Sequence, residues 1–257
     1  MATPIFACGF ECGVTGAGVH ISITSARGSF STTTVRTGLR SRRLNPAALS
    51  SDELDGLFGG PTIGVLRIYF YIASAPTANT FVAGIRGGGT NNLGGIGFQS
   101  SDSTWRAVGR TGTTYTFGPT GTTLATATWH YADIRVNFTA NPWVVDVRFN
   151  GSSTDTVSPA YAADTAYAAA RGDSNAKTFD IYFDDLIMSA TSVDYPLGAG
   201  KVLSYIPNAD GTHNIAGAND FERTLTGTDI TNATTTAFQL IDDRPLESAA
   251  GDFINGI

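Results

Sequence analysis

The chain has 257 residues, a net charge of −6 and a pI of about 4.9, and at this length it can bury roughly 70–75% of its extended surface without disulfide or metal staples. Only 15% of residues are charged, 30 are glycine, and the lysines are Lys177 and Lys201 alone, with no basic run. That balance excludes a protein that holds nucleic acid through phosphate contacts, and no stretch approaches the ~18 apolar residues of a membrane span.

Taken in chain order, "MATPIFACGF" lacks a basic leader and a long apolar stretch, so no signal peptide is expected. Cys8 and Cys12 form a C-x3-C pair whose nearest further ligand is His20, too few donors for a tetrahedral zinc site. They read as small thiols of an N-terminal strand. In "PAALSSDELDGLF" (residues 46–58), Ser50 or Ser51 with the acids that follow predicts a short helix. A second Ala-rich stretch, 159–170, fits a helix or a loop. Elsewhere the chain predicts strands at 65–73, 80–86, 95–101, 104–109, 114–118, 128–139, 143–151 and 179–189, broken by Gly, Asn and Pro. "RGGGTNNLGG" (86–95) lacks the Lys-Ser/Thr of a phosphate loop and reads as a hairpin tip. Asn150-Gly151 closes a hairpin, because both positions accept positive φ.

Many short antiparallel strands with almost no helix predict an all-β, two-sheet antiparallel β-sandwich. In "WHYADIRVNF" one parity carries Tyr131, Asp133, Arg135 and Asn137, the other Ala132, Ile134, Val136 and Phe138, a strand with one wet face. From about Tyr195 the texture becomes polar, acidic and weakly patterned. The expected organisation is a sandwich over 1–195 and an extended C-terminal arm over 196–257, with a short strand at 201–206. The abrupt stop suggests a further C-terminal piece.

Several segments together resemble concanavalin-A-like (LamG-type) jelly rolls. They are "GFECG" (9–13), "STTTVRTGLRSRRLNP" (31–46) with its turn glycine Gly38, "TWHYADIRVNF … VVDVRFNG", and "YFDDLIMS". "LGAGKVLSYIPNADGTHN" (197–214) is similar to a segment that follows this jelly roll in structural proteins of tailed bacteriophage virions. The resemblance implies a jelly-roll fold and a structural part in a virion.

The residues themselves leave several chemistries to weigh. "FDIYFDDLIMS" holds Asp180, Asp184 and Asp185. Asp180 and Asp184 share a face of a regular strand, as do the paired carboxylates of glucanases on related folds. Their Cα atoms lie about 13 Å apart, and the carboxyl separations that glycosidases use are about 5–9.5 Å. On a regular strand Asp184 and Asp185 point to opposite faces. Asp184 and Asp185, with Asp173 and Asn175, are oxygen donors that could hold calcium on the rim. The plainer account spends the Asp185 carboxylate on backbone N–H groups of an adjacent loop. His20, His130 and His213 lie in distant segments and lack a nucleophile motif. Glycan contacts would use Trp105 and Trp143, with Tyr115 and Tyr161 also available, although strand aromatics are more often core. Sequons at Asn137, Asn150 and Asn232 carry no weight without a secretory route.

The expected function is non-enzymatic: a virion structural protein in capsid decoration or in a tail or fibre, assembled in the host cytoplasm. It would dock on other virion proteins and form a homo-oligomer, without nucleic acid, membrane or obligatory cofactor. The alternative is a carbohydrate-binding, lectin-like module or adhesin, and the third is a degenerate glucanase.

Overall fold

The computed structural model describes residues 6–10, 22–23, 28–45, 50–55, 62–87, 92–164, 166–173 and 178–201. Among them lie fifteen strands: β1 (Phe6–Cys8), β2 (Ser22–Ile23), β3 (Gly28–Ser31), β4 (Ser41–Leu44), β5 (Ser50–Asp55), β6 (Ile63–Ser74), β7 (Thr80–Gly87) and β8 (Leu93–Gln99). They continue with β9 (Thr104–Thr111), β10 (Thr114–Phe117), β11 (Trp129–Asn137), β12 (Val144–Phe149), β13 (Ser153–Val157), β14 (Ala166–Asp173) and β15 (Asp180–Ser189). One 3-10 turn follows at Ser192–Asp194.

All ladders are antiparallel and fall into two sheets. An eight-stranded sheet runs β13-β12-β11-β6-β15-β4-β3, with β1 also on β15, and a seven-stranded sheet runs β10-β9-β8-β7-β14-β5-β2. The chain is the two-sheet β-sandwich that its period-two patterning predicts. Leu66, Ile68 and Phe70 of β6, Ile134 and Val136 of β11, and Val145 and Val147 of β12 face inward. They pack with Val82, Ile85, Ile96, Phe98 and Trp105 of the other sheet in one buried cluster. Burial of that apolar area is the main term holding the sheets together. At Gly94 the sheets approach so closely that a Cβ would stand 2.9 Å from Val145 Cγ2.

Asn150 and Gly151 take φ of 49° and 76°, and Gly38 takes 69°, as their turn assignments require. The expected helix over 46–58 is not formed: Ser50–Asp55 is β5, laddered to Ala169–Asp173 of β14. A short isolated helix is marginal in water, and the strand pairing gives the same backbone groups tertiary partners. In the second Ala-rich stretch, 159–164 has no regular structure and Ala166–Asp173 is β14, laddered between β7 and β5. Gly94 and Gly95 belong to β8 rather than to the 86–95 tip. Residues 202–257, and with them the short strand and most of the expected arm, lie outside the described residues, as do Cys12, His20 and His213. Among the described residues no helix is long and apolar enough to cross a membrane.

Candidate functional site

Strand register builds a distinctive surface on the outer face of the eight-stranded sheet. Trp129 of β11 lies opposite Tyr71 of β6, Tyr71 opposite Tyr182 of β15, and Tyr182 opposite Arg43 of β4. The four form one row crossing four strands, about 14 Å from end to end at the usual strand spacing. Ring centroids are 5.6 Å apart for Trp129–Tyr71 and 5.9 Å for Tyr71–Tyr182. The Arg43 guanidinium stands 5.3 Å from the Tyr182 ring. Trp129 and Tyr71 are half-buried, so their rings keep solvent-facing surface, whereas Tyr182 is mostly covered.

Beside this row, Tyr69 and Tyr131 pair at 5.2 Å, and the Arg36 guanidinium lies 3.4 Å over the Tyr69 ring. Arg36 sits in the loop of residues 32–40, and the loop is locked by β15. Three steps along β15, from Asp184 to Ile187, match two along β6, from Tyr69 to Arg67. This bulge places Asp185 at φ 46°, in the left-handed region. The extra residue cancels the alternation expected of a regular strand, and both carboxylates reach the same loop. Asp184 Oδ2 accepts the N–H groups of Arg36 (3.0 Å) and Thr37 (3.3 Å), and its Oδ1 accepts the Asp185 N–H at 2.8 Å. Asp185 is ion-paired to the Arg36 guanidinium and accepts the Thr37 hydroxyl at 2.9 Å. Burial, reinforced by the neighbouring Asp185 charge, pushes the Asp184 carboxyl up to about 7 despite its backbone donors.

Further along the same face the segment 197–200 straps the sheet. Asp133 accepts the Gly198 N–H at 3.2 Å, Arg67 Nη1 donates to the Gly198 carbonyl at 3.1 Å, and the Gly200 N–H donates to Tyr69 Oη at 3.0 Å. Asp133, expected on a wet face, is therefore fully buried, and burial raises its carboxyl. Burial correspondingly lowers Arg67.

The sequence-predicted site residues land differently. Trp105 and Trp143 are 2% and 0% exposed. Trp105 packs on Phe70 and Phe98, and Trp143 packs on Phe138 and Tyr161 and donates Nε1–H to the Ala162 carbonyl at 2.7 Å. Neither presents a ring to a ligand, which corrects the glycan-contact expectation: both share strand parity with core residues. Tyr161 is buried with them, and Tyr115 is half-buried, stacked on Phe117. The calcium expectation for Asp184 and Asp185 meets a pair already occupied by N–H and O–H donors, with the Arg36 guanidinium where a cation would stand. The Asp173 side chain and Asn175 lie outside the description. Among the described residues no cluster of three or more His, Cys, Asp or Glu could hold a metal. Asp180 is not free either: Arg43 donates Nε–H to Oδ1 at 2.9 Å and Nη2–H to Oδ2 at 2.6 Å. Buried His130 contacts the Ala125 carbonyl through Nε2 at 2.9 Å and Asn150 Nδ2 through Nδ1 at 3.1 Å, a packing role.

The row that the sequence reading passed over had a signal. Trp129 continues the polar parity of Tyr131, Asp133 and Arg135, and Tyr71 continues that of Arg67 and Tyr69, whereas Trp143 continues the apolar parity of Val145 and Val147.

These features define a β-sandwich consistent with a concanavalin-A-like jelly roll, carrying an aromatic and guanidinium shelf on one outer face. Among solved structures the chain is similar to the cellulose-induced protein Cip1. The TM-score is 0.56 at 16% identity, over 76% of this chain and 100% of that one. It is also similar to a Shewanella oneidensis MR-1 protein of unknown function (TM-score 0.46, 18% identity, 74% and 92% coverage). A third likeness is to domain 4 of AbnA, an extracellular arabinanase from Geobacillus stearothermophilus, in complex with arabinotriose (TM-score 0.40, 18% identity, 66% and 80% coverage). No protein-family model matches the chain, and no curated protein sequence does.

Proposed function

We propose that the chain is a non-catalytic carbohydrate-binding module whose ligand lies on the Trp129–Tyr71–Tyr182–Arg43 shelf. The observation that carries this reading is the row itself: the Trp129 and Tyr71 rings keep solvent-facing surface on a rigid sheet, backed by Tyr182 and flanked by guanidinium donors. Aromatic faces bind the C–H faces of sugars, and adjacent polar groups orient the hydroxyls. The fold shared with Cip1 is compatible with such a module. The glucanase reading is disfavoured, because Asp180 is held by Arg43 and Asp184 by three backbone N–H groups, leaving neither placed as a general acid or base. Glycan-array binding by the wild-type chain, abolished in a Trp129→Ala protein that still folds cooperatively, tests the proposal. Equal binding by both proteins, or none by the wild type, overturns it.

A second reading keeps the virion role, with other virion proteins as partners and a homo-oligomeric state. It is supported by the phage-like segment from residue 197, whose first residues leave the sheet clamped by Asp133, Arg67 and Tyr69. Co-sedimentation with assembled particles, and its loss when 202–257 is deleted, tests that reading separately.

A further inference from the structure

We propose that the shelf selects neutral oligosaccharides and rejects acidic ones, an inference that rests on the glycan-binding reading above. Two guanidiniums border the aromatic row, and each already has a carboxylate. Arg43 holds Asp180 fork to fork, through Nε–H and Nη2–H at 2.9 and 2.6 Å. Arg36 is paired with Asp185 and pressed on the Tyr69 ring.

The fork that binds Asp180 is the geometry a uronate or sialate carboxylate would use. An anionic sugar would have to evict Asp180, leaving that carboxylate without its partner, or settle beside it as a like charge. Eviction at Arg36 costs more, because the displaced Asp185 is fully buried. The next pair along the face, Arg135 with Asp146, is closed in the same way at 2.8 Å. The chain's net charge of −6 adds long-range repulsion toward polyanions. A neutral sugar meets none of these costs. Its C–H faces stack on Trp129 and Tyr71, and its hydroxyls accept from the parts of Arg43 and Arg36 that stay exposed, 36% and 23% of those side chains.

The test is calorimetric titration of the wild-type chain with cellohexaose, xylohexaose and mannohexaose as neutral probes, and with a galacturonate hexamer and sialyllactose as acidic probes. The expected result is binding of at least one neutral probe with an affinity insensitive to salt, and about tenfold or weaker affinity for every acidic probe. Asp180→Asn removes the carboxylate that occupies Arg43 and should raise affinity for the galacturonate hexamer about tenfold, in a salt-dependent way. An acidic probe that binds the wild type better than every neutral one overturns the selectivity while leaving the glycan reading standing. An Asp180→Asn protein that folds normally and gains nothing for the galacturonate hexamer also overturns it. If no probe of either class binds, the underlying reading falls too.

Discussion

Arg36 and Asp185 are 149 positions apart in the chain and form an ion pair on the outer face of the eight-stranded sheet, with Asp185 in left-handed backbone at φ 46°. The pair joins the loop of residues 32–40 to the bulge in β15, and it places the Arg36 guanidinium on the Tyr69 ring beside the shelf. A fully buried carboxylate depends on its partner, while Arg36 keeps 23% of its side chain in solvent.

Removing that carboxylate should therefore cost stability in an ordered series. Asp185→Ala strands a partly buried guanidinium and is expected to cost about 2 kcal/mol, below the full penalty for breaking a buried pair because Arg36 is partly solvated. Asp185→Asn keeps an acceptor for the Thr37 hydroxyl and tolerates positive φ, so it should cost about half as much. Asp185→Val adds a β-branched side chain in the left-handed region and should be the worst of the three. Urea unfolding of the set checks the order, and equal losses in all three would contradict it.

The pH dependence has a definite sign. The Asp184 carboxyl is raised from 3.8 to about 7 by burial, and Asp133 is raised in the same direction. The folded chain therefore holds protons that the unfolded chain has already released between about pH 4 and pH 7. Asp184 contributes stability that is complete below about pH 4 and is lost as pH rises through 7, and the raised Asp133 carboxyl acts in the same direction. Unfolding free energy measured at pH 5, 6, 7 and 8 should fall by a few kcal/mol across that window. Asp184→Asn should flatten the slope, and a slope that survives this substitution unchanged would remove Asp184 as its source.

The tryptophans should separate into two phenotypes. Trp143→Ala opens a core cavity and orphans the Ala162 carbonyl, so a loss of about 3–5 kcal/mol is expected. Trp105→Ala should behave similarly. Trp129→Ala removes a half-exposed ring and should cost about 1 kcal/mol or less, while abolishing binding at the shelf. Thermal melts beside a binding titration distinguish the three. Loss of binding in a fully folded Trp105→Ala protein, with Trp129→Ala binding normally, would place the ligand elsewhere.

The strap has its own test at Gly198, whose φ of 74° disfavours any residue with a Cβ. Gly198→Ala should cost about 1 kcal/mol and loosen the three hydrogen bonds that seat residues 197–200. Faster amide exchange at Gly198 and Gly200, with the core strands unchanged, is the expected readout. Unchanged exchange at those two amides would show that the strap does not depend on this backbone geometry.

How far the sequence could be read follows from how local each feature is. The alternation in residues 128–139 and the turn at Asn150-Gly151 are written in adjacent residues, and the structure carries both. The stretch "SSDELD" carries helix-start signals, yet it pairs with Ala169–Asp173, residues more than a hundred positions away. The shelf lay between these cases. Its parity was visible strand by strand, but only register brings Trp129, Tyr71, Tyr182 and Arg43 into one row.

By itself the sequence determined the all-β class and the apolar face of the strand over 128–139, because side chains alternate with a period of two and apolar ones are driven from water. It also set the acidic, lysine-poor composition, from which a nucleic-acid ligand is not expected. Only the tertiary structure decided that Asp184 and Asp185 serve one loop, that Asp133 is buried under residues 197–200, and that Trp129 rather than Trp105 or Trp143 meets solvent. Those outcomes depend on a one-residue bulge and on segments packed from distant parts of the chain, and a sequence pattern records neither which strand lies alongside nor what covers the face they share.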